Sequence, residues 1–308
     1  MERKTKKFLL ALIVILLVSV IFGKQLIFNE SAEKPEVNHD PVLKFTQIVG
    51  TLDGADYEIF IPDNWNGMLV IGCRGHRTLE PEITNEYYMH SIAMYFMLEQ
   101  DTERWAFAWS TYGEGGYCIE KGMIRTHQLT DYVIKNYNVQ GKVFLIGISM
   151  GGTISCLLAE KYPNLYDGLL DVVGPKDLKV RYNSLIGLPD SGDLIKELEA
   201  ECSGTPDEKP LEYEKRSPTY NADLKIPVIS LYGEEDHNVP PIHAELFYDA
   251  VEATGSLEYY RSYMYPDYLH TSFYENTVVI LHFLDLFAWV EENVEPPTHP
   301  YLQSANLF

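Results

Sequence analysis

Lys142-Val143-Phe144-Leu145-Ile146-Gly147-Ile148-Ser149-Met150-Gly151-Gly152-Thr153-Ile154-Ser155-Cys156-Leu157-Leu158-Ala159-Glu160-Lys161-Tyr162 is the stretch on which the reading of this chain turns. Val143–Ile146 is a short unbroken apolar run of β-formers, the pattern of a strand buried on both faces of a parallel sheet. Thr153–Tyr162 sets Ile154, Leu157, Leu158 and Tyr162 at helical spacing, and Pro163 ends it. Between them lies a G-x-S-x-G turn, Gly147 to Gly151. A chain passing from strand to helix in one residue strains that residue, and small neighbours keep helix and strand from colliding. Gly147 and Gly151 meet this demand and Gly152 adds slack. Ser149 is thereby lifted clear of the sheet at the positive end of a helix. The Met150 amide then points to where a developing oxyanion would sit.

Strand and helix patterns alternate on either side of this stretch. Val42–Gly50 and Ala55–Ile61 read as an antiparallel pair joined at Asp53-Gly54. Met68–Ile71 is a buried strand running into Gly72-Cys73-Arg74-Gly75-His76-Arg77. Ile83–Glu99 reads as a helix, Trp105–Trp109 as a strand, and Cys118 opens a helix running to Tyr137. Tyr166–Val173, Pro227–Tyr232 and Leu257–Tyr263 are further strands, and Pro241–Ala253 and Thr277–Val290 further helices. The alternation predicts an α/β fold: a mostly parallel sheet with helices on both faces. Residues 176–224 are charged and proline-bearing with no strong strand pattern, and read as an insertion capping the sheet.

The N-terminus differs in kind. Arg3, Lys4, Lys6 and Lys7 precede an apolar run over residues 8–23. This is the layout of a signal peptide or an uncleaved membrane anchor. In either case the remainder of the chain is expected outside the cytoplasm. The expected division is thus a leader or anchor over 1–28, a mobile polar linker over 29–41, a domain over 42–295 that carries the cap at 176–224, and a tail over 296–308. Lys and Arg number 24 against 45 Asp and Glu, a formal charge of −21. Such a surface repels phosphate backbones and argues against nucleic-acid partners. Dinucleotide fingerprint, P-loop, zincin and paired C-x-x-C motifs are all missing, so no cofactor or metal is expected. The four cysteines are scattered. Cys73 and Cys156 fall in core segments, and Cys118 and Cys202 are the more exposed candidates for a disulfide.

A serine nucleophile needs a base, and the base an orienting carboxylate. In open α/β sheets such groups lie beyond the carboxyl ends of strands. The loops there offer Glu234, Glu235, Asp236 and His237 after one strand, Asp267 and His270 after the last, and His76 after an earlier one. Gly147-Ile148-Ser149-Met150-Gly151, then Gly233…Asp236…Val239-Pro240, then His270 resemble, in type and in order, the motifs of the α/β-hydrolases. The resemblance covers about Val42 to Val290. It implies Ser149 as nucleophile, His270 as general base and Asp236 as orienter. The oxyanion donors it implies are the backbone amides of Met150 and of a residue in the loop after Met68–Ile71, with His76 the first choice and Arg77 the second, since Arg74-Gly75-His76 stands where many members carry His-Gly. Among competitors, His237 and His243 neighbour the acid, His282 lies inside an apolar helix, and His76 is the rival base. Glu234 and Glu235 compete with Asp236.

The implied activity is serine hydrolysis through an acyl-enzyme. A carboxylic ester is the first reading and a peptide bond, as in prolyl-oligopeptidase-like enzymes, the second. A membrane-tethered binding protein that keeps the fold without catalysis is the rival class. The implied partner is a small ester or short peptide, with membrane contact only through the N-terminal segment. Tyr112, Tyr117 and Tyr268 fall in loops on the same edge as the three candidate residues, where they could wall an acyl or aryl group.

Overall fold

The computed structural model describes residues 35–76, 83–98, 104–189, 191–274 and 277–293. The apolar run 8–23, the first residues of the linker and the tail 296–308 lie outside the described residues. Among the described residues nine strands form one sheet: β1 (Glu36–Asp40), β2 (Phe45–Leu52), β3 (Ala55–Pro62), β4 (Trp65–Cys73), β5 (Arg104–Ser110), β6 (Val143–Ile148), β7 (Gly168–Val172), β8 (Val228–Gly233) and β9 (Tyr260–Tyr265). Their order across the sheet is β1-β2-β3-β5-β4-β6-β7-β8-β9. The pairs from β1 to β5 are antiparallel, and every pair from β5 to β9 is parallel.

Period-two alternation in these strands separates two cores. Leu69, Ile71, Val143, Leu145, Leu169 and Val228 face α2 (Ile119–Asn136), α3 (Met150–Lys161) and α7 (Ile242–Thr254). Val70, Phe107, Phe144, Ile146, Leu170 and Ile229 face α1 (Ile83–Leu98) and α8 (Thr277–Glu292). On that second side the Phe283 ring of α8 lies 4.6 Å from Phe96 of α1, 5.4 Å from Trp105 and 5.5 Å from Phe144. Buried Glu58 of β3 accepts from the Trp109 indole at 2.9 Å and sits 2.5 Å from His90, which fastens α1 to the sheet.

Two expectations need correction. Residues 36–40 are not linker: they pair with β2 from Glu36↔Val49 to Asp40↔Phe45. This edge strand exposes its side chains, so it carries no apolar alternation to read. Cys118 and Cys202 are not exposed: all four cysteines are buried and free. Cys118 packs under the Arg74 guanidinium, with Nη2 3.7 Å from its sulfur.

Between β7 and β8 the chain forms α4 (Leu178–Leu185), α5 (Gly192–Cys202), α6 (Pro210–Lys215) and a short 3-10 turn, Pro218–Tyr220. Asp177 caps α4 by accepting from the Val180 amide at 2.9 Å. Arg216 joins this region to the body, donating to Glu201 at 3.0 Å and also to Glu212 and to Glu120 of α2. Glu201 in turn accepts the Glu120 amide at 2.9 Å in the first turn of α2, where the helix dipole favours a carboxylate.

His243 of α7 is buried, and its Nδ1 accepts from the amides of Lys176 at 3.2 Å and Asp177 at 3.4 Å. An imidazole that accepts twice must be neutral. Burial, with Arg181 and Lys176 adding to it, lowers its pKa to about 3. The unfolded chain therefore binds this proton below about 6.5 while the folded chain does not. The stability it supports is present above that value and is lost as pH falls toward 3.

Phe283→Ala is expected to lower unfolding free energy by about 3–5 kcal/mol in urea titration; a loss under about 1 kcal/mol would contradict this packing. His243→Gln, whose amide oxygen can accept the same amides, is expected to remove about 2 kcal/mol of the stability lost between pH 7 and 5. Equal pH slopes for the two proteins would contradict a neutral His243.

Candidate active site

β6 passes into α3 at Ser149, whose φ of 53° and ψ of −124° fall where side-chain-bearing residues are strained. The surroundings over-determine it. Its amide donates to the Val172 carbonyl of β7 at 2.8 Å, and its own carbonyl accepts the Gly152 amide at 2.8 Å. A Cβ on Gly147 would strike the Gly151 carbonyl and the Ser155 hydroxyl, and one on Gly151 the carbonyls of Cys73 and Arg74. Gly152 is not slack: its open face is filled by the Asp171 carboxylate and Gly174.

The loop after β8 carries Asp236, buried to 1% exposure. Its Oδ1 accepts from the amides of Asn238 at 2.9 Å and Val239 at 2.8 Å. Its Oδ2 lies 2.7 Å from Nδ1 of His270. His270 opens a short 3-10 turn, His270–Phe273, after β9, and its Nε2 lies 3.0 Å from the Ser149 hydroxyl. A carboxylate that only accepts assigns the proton to Nδ1. The lone pair of Nε2 is then left to accept the serine O–H. The two loops are laced together as well: the amide of Glu234 donates to the Tyr265 carbonyl at 3.0 Å and that of Glu235 to the Tyr268 carbonyl at 3.1 Å.

The competing residues fall elsewhere. Glu234, Glu235 and His237 are exposed, and His237 is paired loosely with Glu235 at 4.0 Å. His243 is held in α7 as described. His282 of α8 sits 2.5 Å from the Tyr265 hydroxyl. His76 lies in the loop after β4 with Nε2 2.5 Å from Glu197 of α5 and its ring 5.3 Å from Tyr117. Met150 opens α3 beside the serine, and the carbonyls of Cys73 and Arg74, just before His76, abut the turn at Gly151.

Two arginines near the site carried no motif to announce them. Arg74 is fully buried, stacks 4.3 Å over Tyr112 and donates to the carbonyls of Thr111, Gly75 and Glu114. It locks the loop after β4 to the loop after β5, and it leaves Tyr112 in the core rather than at a pocket wall. Arg181 of α4 donates to the Tyr117 hydroxyl at 3.0 Å and to the Asn238 carbonyl, which joins α4 to the loop of Asp236. Tyr268 packs against Tyr265 and Phe273.

Residues 126–296, more than half the chain, match the family model for the prolyl oligopeptidase family. The chain is 28% identical over 165 residues to a thermostable monoacylglycerol lipase from Bacillus sp. (strain H-257), covering 47% of this chain and 62% of the relative. It is 26% identical over 187 residues to the alpha/beta hydrolase domain-containing protein WAV2 of Arabidopsis thaliana, covering 57% of this chain and 58% of that protein. The match thus spans about three-fifths of each curated relative. A puromycin-hydrolyzing peptidase of Mycobacterium tuberculosis superposes with a TM-score of 0.60 at 16% identity, over 90% of this chain and 45% of that one. The fold is that of the α/β-hydrolases, and within it the chain belongs to the prolyl oligopeptidase family.

Proposed function

We propose that this protein is a serine hydrolase that cleaves carboxylic esters through an acyl-enzyme on Ser149. The observation that carries this reading is the continuous pair of hydrogen bonds from Ser149 to His270 at 3.0 Å and from His270 to Asp236 at 2.7 Å. As Ser149 attacks the acyl carbon, Nε2 of His270 takes its proton and the buried Asp236 stabilises the imidazolium. The same nitrogen then protonates the leaving alcohol. Water repeats the sequence in reverse and frees the acid. The amides of Met150 and His76 are the proposed oxyanion donors.

The complete relay favours this reading over a non-catalytic binding protein, which has no use for a buried, doubly fixed carboxylate behind an imidazole. An ester asks less of this machinery than an amide, because an alkoxide leaves with less help from a proton than an amine does. The lipase relative points the same way. A peptide bond is the second reading, supported by the family and by the peptidase with the same fold. The region over residues 176–224 is proposed as the specificity-setting cap of a domain over 42–295. The basic start followed by the apolar run 8–23 supports a location outside the cytoplasm, with that run as signal or anchor.

Ser149→Ala is expected to lower turnover by on the order of 10⁶ in purified protein. Asp236→Asn, which frees the wrong tautomer, is expected to lower kcat by on the order of 10⁴. Unchanged turnover in either variant would rule the mechanism out. In a panel of p-nitrophenyl esters and aminoacyl-nitroanilides, kcat/KM is expected to be greater for the esters. Faster release from the anilides would move the assignment to peptidase.

A further inference from the structure

We infer that the buried ion pair Asp171–Lys176 is a positioning device for Ser149, holding the nucleophile turn from beneath and tying it to the segment that leads into the capping helices. The inference rests on the serine hydrolase reading above.

Asp171 lies on β7, in register with Gly147 of β6 on one side and Ser230 of β8 on the other. The next residue, Val172, accepts the Ser149 amide. The Asp171 side chain is fully buried, and its Oδ1 occupies the space where a Cβ on Gly152 or Gly174 would be. It therefore sits between the first turn of α3 and the segment Val173–Lys176 that leaves the sheet. Lys176, also fully buried, turns back from that segment and places Nζ 2.6 Å from Oδ2 of Asp171, with the Phe247 ring 5.3 Å away and the Tyr232 ring 5.9 Å away. Burial works against the ammonium, but the Asp171 carboxylate outweighs it and holds Lys176 above its ordinary value. Burial raises the Asp171 carboxyl in turn, with Lys176 pulling against it, so each group depends on the other.

The same segment is clamped at every step. The Thr153 hydroxyl in the first turn of α3 donates to the Pro175 carbonyl at 2.6 Å. Thr219, at the far end of the capping region, donates to the Lys176 carbonyl through its amide and its hydroxyl, both at 3.1 Å. His243 accepts the Lys176 amide. A fully buried ion pair is a poor device for stability alone, since apolar residues of similar volume pack as well without the cost of desolvation. What it adds is direction. The carboxylate fixes Gly152, in the first turn after the strained serine, against Gly174, in the segment that leaves β7. A nucleophile displaced by about 1 Å loses about 10²-fold in rate.

The experiment compares wild type with the neutral, nearly isosteric pair Asp171→Asn/Lys176→Met, which leaves no unpaired buried charge. Asp171→Asn alone, in which Lys176 is free to lose its proton, decides the matter if the double variant does not fold. Urea unfolding confirms a cooperative fold, and kcat and KM are measured separately on p-nitrophenyl acetate. The expected result is a fall in kcat of about 10- to 100-fold with KM within about 2-fold of wild type. A merely structural pair would change the urea midpoint and leave kcat per folded molecule alone, and that result overturns the inference. Wild-type turnover that survives Ser149→Ala would instead overturn the hydrolase reading, and the inference with it.

Discussion

One backbone angle organises this molecule. Ser149 adopts a positive φ at the junction of β6 and α3, a conformation that costs on the order of 1–3 kcal/mol for a residue with a side chain. It persists because strand and helix approach so closely that neither Gly147 nor Gly151 has room for a Cβ. The serine amide is drawn to the neighbouring strand at Val172, and the hydroxyl is left standing above the sheet edge. Strain at one residue is thus spread into central strands, β6 and β7, that are buried on both faces and cannot easily relax.

The other two members of the relay reach the serine by a different route. Asp236 and His270 sit on loops after adjacent parallel strands, β8 and β9, whose ends the sheet holds side by side. The amides of Glu234 and Glu235 then lace one loop to the other. Burial and two backbone donors keep the carboxylate fixed, so its remaining oxygen can do one thing: hold the imidazole in a single tautomer. Parallel topology, loop pairing and proton placement are successive consequences of one another.

Much of this was legible in the sequence. Buried parallel strands announce themselves as apolar runs, and the G-x-S-x-G turn, the Gly233-to-Pro240 loop and His270 carry motifs whose order can be read. The edge strand Glu36–Asp40 could not be seen, because a strand exposed on both faces leaves no periodicity in its side chains. The burial of Cys118 and Cys202 leaves no trace in the sequence, because it depends on contacts distant along the chain, as between Arg74 and Cys118. Arg74, Arg181 and the Asp171–Lys176 pair escaped for the same reason. A charged residue reads as surface until its partner, here a carbonyl, a hydroxyl or an opposite charge, is brought to it by the fold.

The helices between β7 and β8 are fastened to the body. Arg216 and Glu201 fix them to α2, Arg181 to the loop of Asp236, Glu197 to His76 of the loop after β4, and Lys176 to Asp171 of β7. The helices between β7 and β8 and the turn at Ser149 therefore share one connected framework. The central claim is that Ser149 is an activated nucleophile, and intact mass spectrometry after exposure to a fluorophosphonate tests that most directly. The account predicts one adduct per chain, mapped to Ser149, and none in folded His270→Ala protein. A folded wild-type protein that takes up no label, or takes it up on another residue, would contradict it.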